Sequence, residues 1–228
     1  MATIEISKGF VRLDAAMADD ASVVNAARVS FAKNVVLPNQ MSDVDKGLIN
    51  FLMREHHGTP FEHNSFRFHV KCPVFVAREW FRHRIGSFNE FSARYSEVPN
   101  EFFVPEKEDM RTQVGKPGSY TFEQIGDPHA STALFIIENA NDSAYKSYQS
   151  LLEMGVAKEQ ARVVLPVSMF TQFYWTVNAR ALMNFLTLRT HETAQLDIRK
   201  YADAVYKLAA EQMPVTFATW ESNGRVTP

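Results

Sequence analysis

The sequence predicts an α+β fold, a single domain in which a small, mostly antiparallel sheet is flanked by helices. Three observations carry that expectation. Residues 65–71 alternate strictly, with Phe66, Phe68 and Val70 on one side and Ser65, Arg67, His69 and Lys71 on the other, the period of a half-buried strand. Several longer segments instead place apolar residues at helical spacing. No regular strand–helix–strand alternation joins the two kinds, so a doubly wound parallel sheet is not expected.

Taken in order, Asp20-Ala21-Ser22 offers a helix start before residues 23–31. Ser42, with Asp45 three residues on, resembles a capping box, and Val44, Leu48, Phe51 and Leu52 follow at helical spacing. Pro73 suits the first turn of a helix over 74–84, which Gly86 breaks. Residues 105–128 contain Lys116-Pro117-Gly118 and Gly126-Asp127-Pro128 and read as a polar loop excursion. Leu134, Ile137, Ala144, Tyr148 and Leu151 mark a long helix that Gly155 closes, and 159–165 form a short one stopped by Pro166. The aromatic and β-branched run 170–177 predicts a strand. Asn178 caps a helix through Leu188, and a last helix over 193–213 ends at Pro214.

With 228 residues, 46% hydrophobic and 22% charged, the chain is long and apolar enough to bury a core, which excludes a disordered polymer. The formal net charge of -2 does not suit a protein that coats nucleic acid or an anionic membrane, although it leaves room for a local basic pocket. Cys72 is the only cysteine, so no intrachain disulfide forms and a reducing compartment fits. The first twenty residues lack a secretory pattern, and no apolar run approaches the roughly 20 residues that span a bilayer. A soluble, cytoplasmic chain is expected.

The densest chemistry lies in Arg82-His83-Arg84-Ile85-Gly86-Ser87-Phe88-Asn89-Glu90-Phe91-Ser92-Ala93-Arg94-Tyr95-Ser96. Guanidinium forks and serine hydroxyls suit phosphate oxygens, so the stretch can build a site for a phosphorylated small molecule. The plainer reading is a solvated helix face followed by a loop. Against it, Arg78 and Arg82 lie one helical turn apart and repel unless an anion sits between them.

The same arginines also carry a resemblance. Arg82-His83-Arg84, seven residues, then Ser92 resembles the signature of the flavin-dependent thymidylate synthases. Ala27-Arg28-Val29-Ser30-Phe31, His57-Gly58-Thr59-Pro60-Phe61-Glu62-His63 and Asn178-Ala179-Arg180-Ala181-Leu182-Met183-Asn184-Phe185-Leu186-Thr187-Leu188-Arg189 are similar to that family's other blocks, in the same order. The resemblance implies FAD held by Ser30, Thr59, Arg82, His83, Arg84, Glu90, Asn178, Arg180 and Asn184. It implies dUMP held by Glu79, Arg82, Glu90, Ser92, Ala93, Arg94 and Arg162, with Arg189 as the catalytic residue against the uracil ring. It further implies a homotetramer whose sites draw on several subunits, NADPH as the reductant of FAD, and methylenetetrahydrofolate as carbon donor. Two positions depart from the expected pattern: Glu79 stands where the family often carries Gln, and Thr193 stands where some relatives carry His. His57 would lie toward the flavin and folate side, and His191 has no assigned role.

Methylating C5 of uracil requires electron density at that carbon, and a cysteine thiolate adding at C6 is one way to supply it. Cys72 is the only candidate, a lone cysteine is most often a core residue, and none of the blocks places chemistry on it. The expected mechanism therefore has no cysteine nucleophile: Arg189 activates the ring, and Ser92 is a hydrogen-bonding ligand. Two other classes compete. His56, His57, His63 and His69 could mark a metal hydrolase, but no His-Glu-x-x-His helix is present and His69 shares a strand face with Arg67 and Lys71. Arg82-His83-Arg84 with Phe88, Phe91 and Tyr95 could mark a nucleic-acid-binding module, which the net charge and the lack of a second basic run oppose. No metal, nucleic acid or membrane is expected as a partner.

Overall fold

The alternation at residues 65–71 buries Phe66, Phe68 and Val70 completely. The computed structural model, which describes residues 2–31, 35–116 and 119–228, forms a sheet around that strand. The strands are β1 (Thr3–Ile6), β2 (Gly9–Met17), β3 (Ser65–Pro73), β4 (Ser87–Glu90), β5 (Arg111–Val114), β6 (Thr121–Gln124) and β7 (Phe170–Val177). The helices are α1 (Asp20–Arg28), α2 (Asp43–Arg54), α3 (Val74–Trp80), α4 (His129–Glu153), α5 (Lys158–Ala161), α6 (Ala179–Arg189), α7 (Leu196–Gln212) and α8 (Pro214–Ser222). The α+β class and the small antiparallel sheet are those expected. Two compact units emerge, one of Met1–Lys71, Arg78–Glu90 and Gln172–Pro228, the other of Cys72–Ala77 and Phe91–Thr171. Each is assembled from separated stretches of chain.

The first unit carries the five-stranded sheet, in the order β1-β2-β3-β7-β4. β1 with β2, β2 with β3 and β4 with β7 pair antiparallel, and the register between β2 and β3 shifts between Leu13 and Ala15. The sequence pattern does not predict β1, β2 or β4. In β2 only Gly9, Val11 and Leu13 alternate as buried positions before three exposed residues, too short a pattern to stand out. β4 has four residues, largely exposed, and owes its conformation to pairing with Phe173–Thr176 of β7.

The helix starts follow from side-chain caps. Asp19 accepts from Ser22 N at 2.7 Å and begins α1 one residue earlier than the expected cap. Ser42 and Asp45 form the reciprocal capping box of α2, and Asp45 is also paired with Arg28. Pro214 does not end the helical region. It opens α8, because a missing N–H costs nothing at a first helical position. Buried Asp20 takes the next free donors, Val215 N at 2.9 Å and Thr216 N at 2.7 Å.

α3 ends at Trp80, four residues short of the expected Arg84. The cause is aromatic packing. Trp80 stacks on Phe185 at 4.7 Å between ring centroids and meets Trp175 edge-on at 5.4 Å, while Phe81 turns to meet both Phe88 and Phe173 at 5.0 Å. These contacts draw the chain into β4, so Arg82 lies in the turn beyond the helix. Arg78 and Arg82 therefore do not share the one helix that the sequence spacing suggests.

The second unit contains α4, closed by Gly155 at φ 82°, then α5 and the tight turn Arg162–Val164. Ala93, Val98, Tyr148 and Ala161 form its buried cluster, in which Tyr148 Oη accepts from Val98 N at 3.1 Å. The expected loop at 105–128 holds a β5–β6 hairpin, with Arg111 over the Phe122 ring at 4.2 Å. Pro117 and Gly118, on which part of the turn reading rested, lie outside the described residues. Among the described residues no helix is long and apolar enough to cross a membrane.

Gly86 precedes β4 where a Cβ would lie 2.8 Å from Trp175 Nε1 and 3.0 Å from the Thr176 carbonyl oxygen. Gly86→Ala should therefore destabilise the protein by about 1–3 kcal/mol, read as a lower urea midpoint. An unchanged midpoint would contradict this packing.

Candidate functional site

Four segments of the first unit converge on one cleft. The turn after α3 supplies Arg82, His83, Arg84 and Ile85, and α6 with its cap supplies Asn178, Arg180, Ala181, Asn184, Leu188 and Arg189. Glu62 and Thr227 complete the lining, and the cleft measures about 610 Å³. Such a volume suits a small organic ligand.

α6 is the spine of the site. Asn178 caps it by accepting from Ala181 N at 2.9 Å, which places Arg180, Asn184 and Leu188 at four-residue steps along one face. Buried Asn64 secures the same helix end. It accepts from Ala179 N at 2.6 Å and donates to the Phe61 carbonyl at 3.1 Å, tying the turn Thr59–Glu62 to α6. Arg180 pairs with Glu62 at 2.6 Å and donates through Nε to the Pro228 carbonyl. A Cβ at Gly58 would press on the Arg180 side chain, so a larger residue there would displace Arg180 from this position.

At the C-terminal end of α6, Arg189 is held by two residues of the opposite segment. Its Nε donates to His83 Nε2 at 3.0 Å, its Nη1 to Glu79 Oε2 at 3.3 Å and its Nη2 to the Glu79 backbone carbonyl at 3.2 Å. His83 is 9% exposed and packs edge-on against Phe185. Burial, and then the Arg189 charge, push its pKa down to about 4. The ring is therefore neutral near pH 7, with Nε2 as acceptor and the proton on Nδ1. Glu79 is pushed the other way, upward from the ordinary carboxylate value. Burial outweighs the Arg189 charge that draws it down, and Asp197 adds to the rise.

Of the nine residues expected to hold FAD, the cleft gathers Arg82, His83, Arg84, Asn178, Arg180 and Asn184. Thr59 begins the turn whose last residue, Glu62, lines the cleft, while Ser30 and Glu90 are exposed and outside its lining. Of the residues expected at dUMP, Glu79, Arg82, Glu90 and Arg189 belong to the first unit, and Ser92, Ala93, Arg94 and Arg162 to the second. Within that second unit Ala93 packs with Ala161, next to Arg162, and Arg94 Nε reaches Glu159 at 3.3 Å. The Ser92–Arg94 turn thus meets α5, whose next residue is Arg162.

Five lining residues carry no role in the motif blocks: Glu62, Ala181, Thr227, and Ile85 with Leu188, the apolar wall. Thr227 lies beyond the motif blocks, in the C-terminal segment that returns along α6 through Thr187, whose Oγ1 donates to the Arg225 carbonyl at 2.7 Å. His57 packs edge-on against Phe51, and His191 bonds Thr193 at 2.8 Å; neither lines the cleft. Among the described residues no group of three His, Cys, Asp or Glu side chains could hold a metal ion. His69, part of the alternative metal cluster, instead stacks on Tyr174. Cys72 is fully buried.

Residues 12–215 match the family described as thymidylate synthase complementing protein. The chain belongs to that family. Among its relatives, the flavin-dependent thymidylate synthase of Thermosipho africanus (strain TCF52B) is 50% identical over 212 residues, 93% of this chain and 90% of its own. That of Streptomyces avermitilis is 44% identical, over 92% of this chain and 90% of its own. A UMP/dUMP methylase, PolB from Streptomyces cacaoi, solved bound with 5-Br dUMP, superposes with a TM-score of 0.90 at 41% identity, over 97% of this chain and 98% of that one. All the residues of the cleft except Thr227 lie within the family match.

The buried His83 sets a pH dependence. Its native pKa lies below the unfolded value of 6.5, so the unfolded chain binds more protons between about pH 4 and 6.5. Stability should fall as the pH drops through that window, by up to about 3 kcal/mol. Urea titrations at several pH values should show this decline in wild type and a smaller one in His83→Gln. Equal declines in both would contradict the assignment.

Proposed function

We propose that the chain converts dUMP to dTMP by reductive methylation, with FAD as hydride carrier, NADPH as its reductant and methylenetetrahydrofolate as carbon donor, and without a cysteine nucleophile. The observation that carries this reading is the convergence of Arg189 with Arg82, His83, Arg84, Asn178, Arg180 and Asn184 on a single cleft. Family membership and the dUMP-analogue-bound methylase neighbour support the same reaction.

The residues present fit a flavin dinucleotide. Four guanidinium groups line the cleft against the Glu62 carboxylate, and Glu62 is already paired with Arg180. The excess positive charge favours an anion carrying a pyrophosphate. Asn178 and Asn184 add amide groups for hydroxyl and ring-edge bonds, and Ile85 with Leu188 offers apolar surface for a planar ring. Arg82, His83, Arg84, Asn178, Arg180 and Asn184 would hold the flavin, whose reduced form supplies hydride chemistry that no side chain can.

Arg189 has a separate task. A guanidinium facing the carbonyl edge of a uracil stabilises negative charge as it develops on the ring, and its fixed orientation means little reorganisation is needed at that moment. Full burial of Cys72 supports a route that needs no thiolate. Ser92, Arg94 and Arg162, gathered in the second unit, are the proposed phosphate ligands of dUMP. A homotetramer whose sites combine residues of several subunits is part of the same proposal. The nucleic-acid alternative is disfavoured because Arg82 and Arg84 line a concave cleft, and an extended strand is better met by an open groove.

The purified protein should show oxidised-flavin absorbance that bleaches on adding NADPH, more completely with dUMP present. A colourless preparation that also fails to take up FAD would overturn the reading. Arg189→Ala should keep NADPH-driven flavin bleaching while dTMP formation falls at least about 100-fold. Equal loss of both steps would show that Arg189 serves the flavin instead.

A further inference from the structure

The Arg189 guanidinium has five N–H groups, and three have acceptors: His83 Nε2, Glu79 Oε2 and the Glu79 backbone carbonyl. The two left over are one on Nη1 and one on Nη2, at the end of a side chain that lines the cleft. We propose that Glu79 and His83 are positioning residues, which fix Arg189 in one orientation so that this remaining pair of N–H groups is what the cleft offers to a pyrimidine carbonyl edge. The proposal rests on the reading of the cleft as a dUMP-methylating site and goes beyond it by giving the departure at position 79 a task.

The arrangement differs from an ordinary surface ion pair, in which a flexible cation meets one carboxylate and gains little. Here the acceptors are of three kinds, one of them main chain, and the two residues that provide them are held by α3 and the turn after it. Each must stay in one protonation state. A protonated His83 would turn a donor and a second positive charge toward Arg189, and a protonated Glu79 would lose the charge that anchors Nη1. The groups facing Glu79 are Arg189 from α6 and Asp197 from α7, with His83 acting through Arg189. Since burial and Asp197 raise the Glu79 pKa whereas His83 is lowered to about 4, Glu79 is the first of the two to take up a proton on acidification.

The test uses the FAD-loaded full-length enzyme with three readouts: flavin content, NADPH-driven flavin bleaching and steady-state dTMP formation across pH. Glu79→Ala should lower kcat for dTMP by about 10–100-fold while KM for dUMP changes less than about threefold, as expected when a catalytic group is misplaced rather than lost. Flavin content and bleaching should stay within about twofold of wild type. Glu79→Gln, which keeps an acceptor oxygen, should recover kcat to within about fivefold. Its acid limb should move down toward the His83 value of about 4. Wild-type-like turnover in Glu79→Ala, a parallel loss of flavin bleaching, or an unmoved acid limb in Glu79→Gln would each overturn the positioning role alone. If Glu79→Ala does not fold, the acid limb of Glu79→Gln decides. Wild-type enzyme that makes no dTMP would overturn the reading of the cleft and this role together.

Discussion

The constraint on which the site depends is the confinement of the Arg189 guanidinium, a group that water solvates well, to a half-buried position where protein acceptors replace that water. A cation so placed is tolerated only when opposite charge and good hydrogen-bond geometry offset the lost hydration. Glu79 provides the charge, and the Glu79 backbone carbonyl and His83 Nε2 provide the geometry. His83 pays its own penalty by staying neutral far below its usual pKa. Breaking any one of these bonds would leave a half-buried donor or charge unmatched, so the cluster behaves as a unit.

The surrounding fold can be read as what holds that unit still. Trp80, three residues before His83, is fully buried against Phe185, which lies on the same helix as Arg189. The two sides of the cleft are thus tied by aromatic packing, while Asn178 and Asn64 anchor the opposite end of α6. The cleft's charge is kept unbalanced toward the positive although the whole chain carries a formal net charge of -2. That contrast is what a selective anion site requires: local attraction without general affinity for polyanions.

How much of this was legible in the sequence depended on how local each signal is. Asn178, Ser42 and the alternation at Ser65–Lys71 act within a few residues, and the elements they specify formed as expected. Signals that depend on distant partners were not readable. α3 stops at Trp80 because Phe81 finds Phe173 across the sheet. Pro214 begins a helix because Asp20 waits for its amides. β4 exists because β7 accepts it. The same division holds at the site. The Arg82-His83-Arg84 block and the α6 residues were visible as motifs and meet in the cleft, whereas Asn64 and Thr227 carry no local signature. The bond between His83 and Arg189 joins residues 106 apart, and nothing in either segment alone announces it.

The central claim is that a guanidinium-lined cleft receives the flavin while Arg189, fixed by Glu79 and His83, meets the pyrimidine. A crystal structure of the protein with FAD and dUMP tests it most directly. The account predicts the flavin dinucleotide against Arg82, His83, Arg84, Arg180, Asn178 and Asn184, and an Arg189 that keeps both its protein partners while its two remaining N–H groups meet the uracil edge. A flavin bound elsewhere, or an Arg189 swung away from Glu79 and His83 with the nucleotide in place, would contradict it.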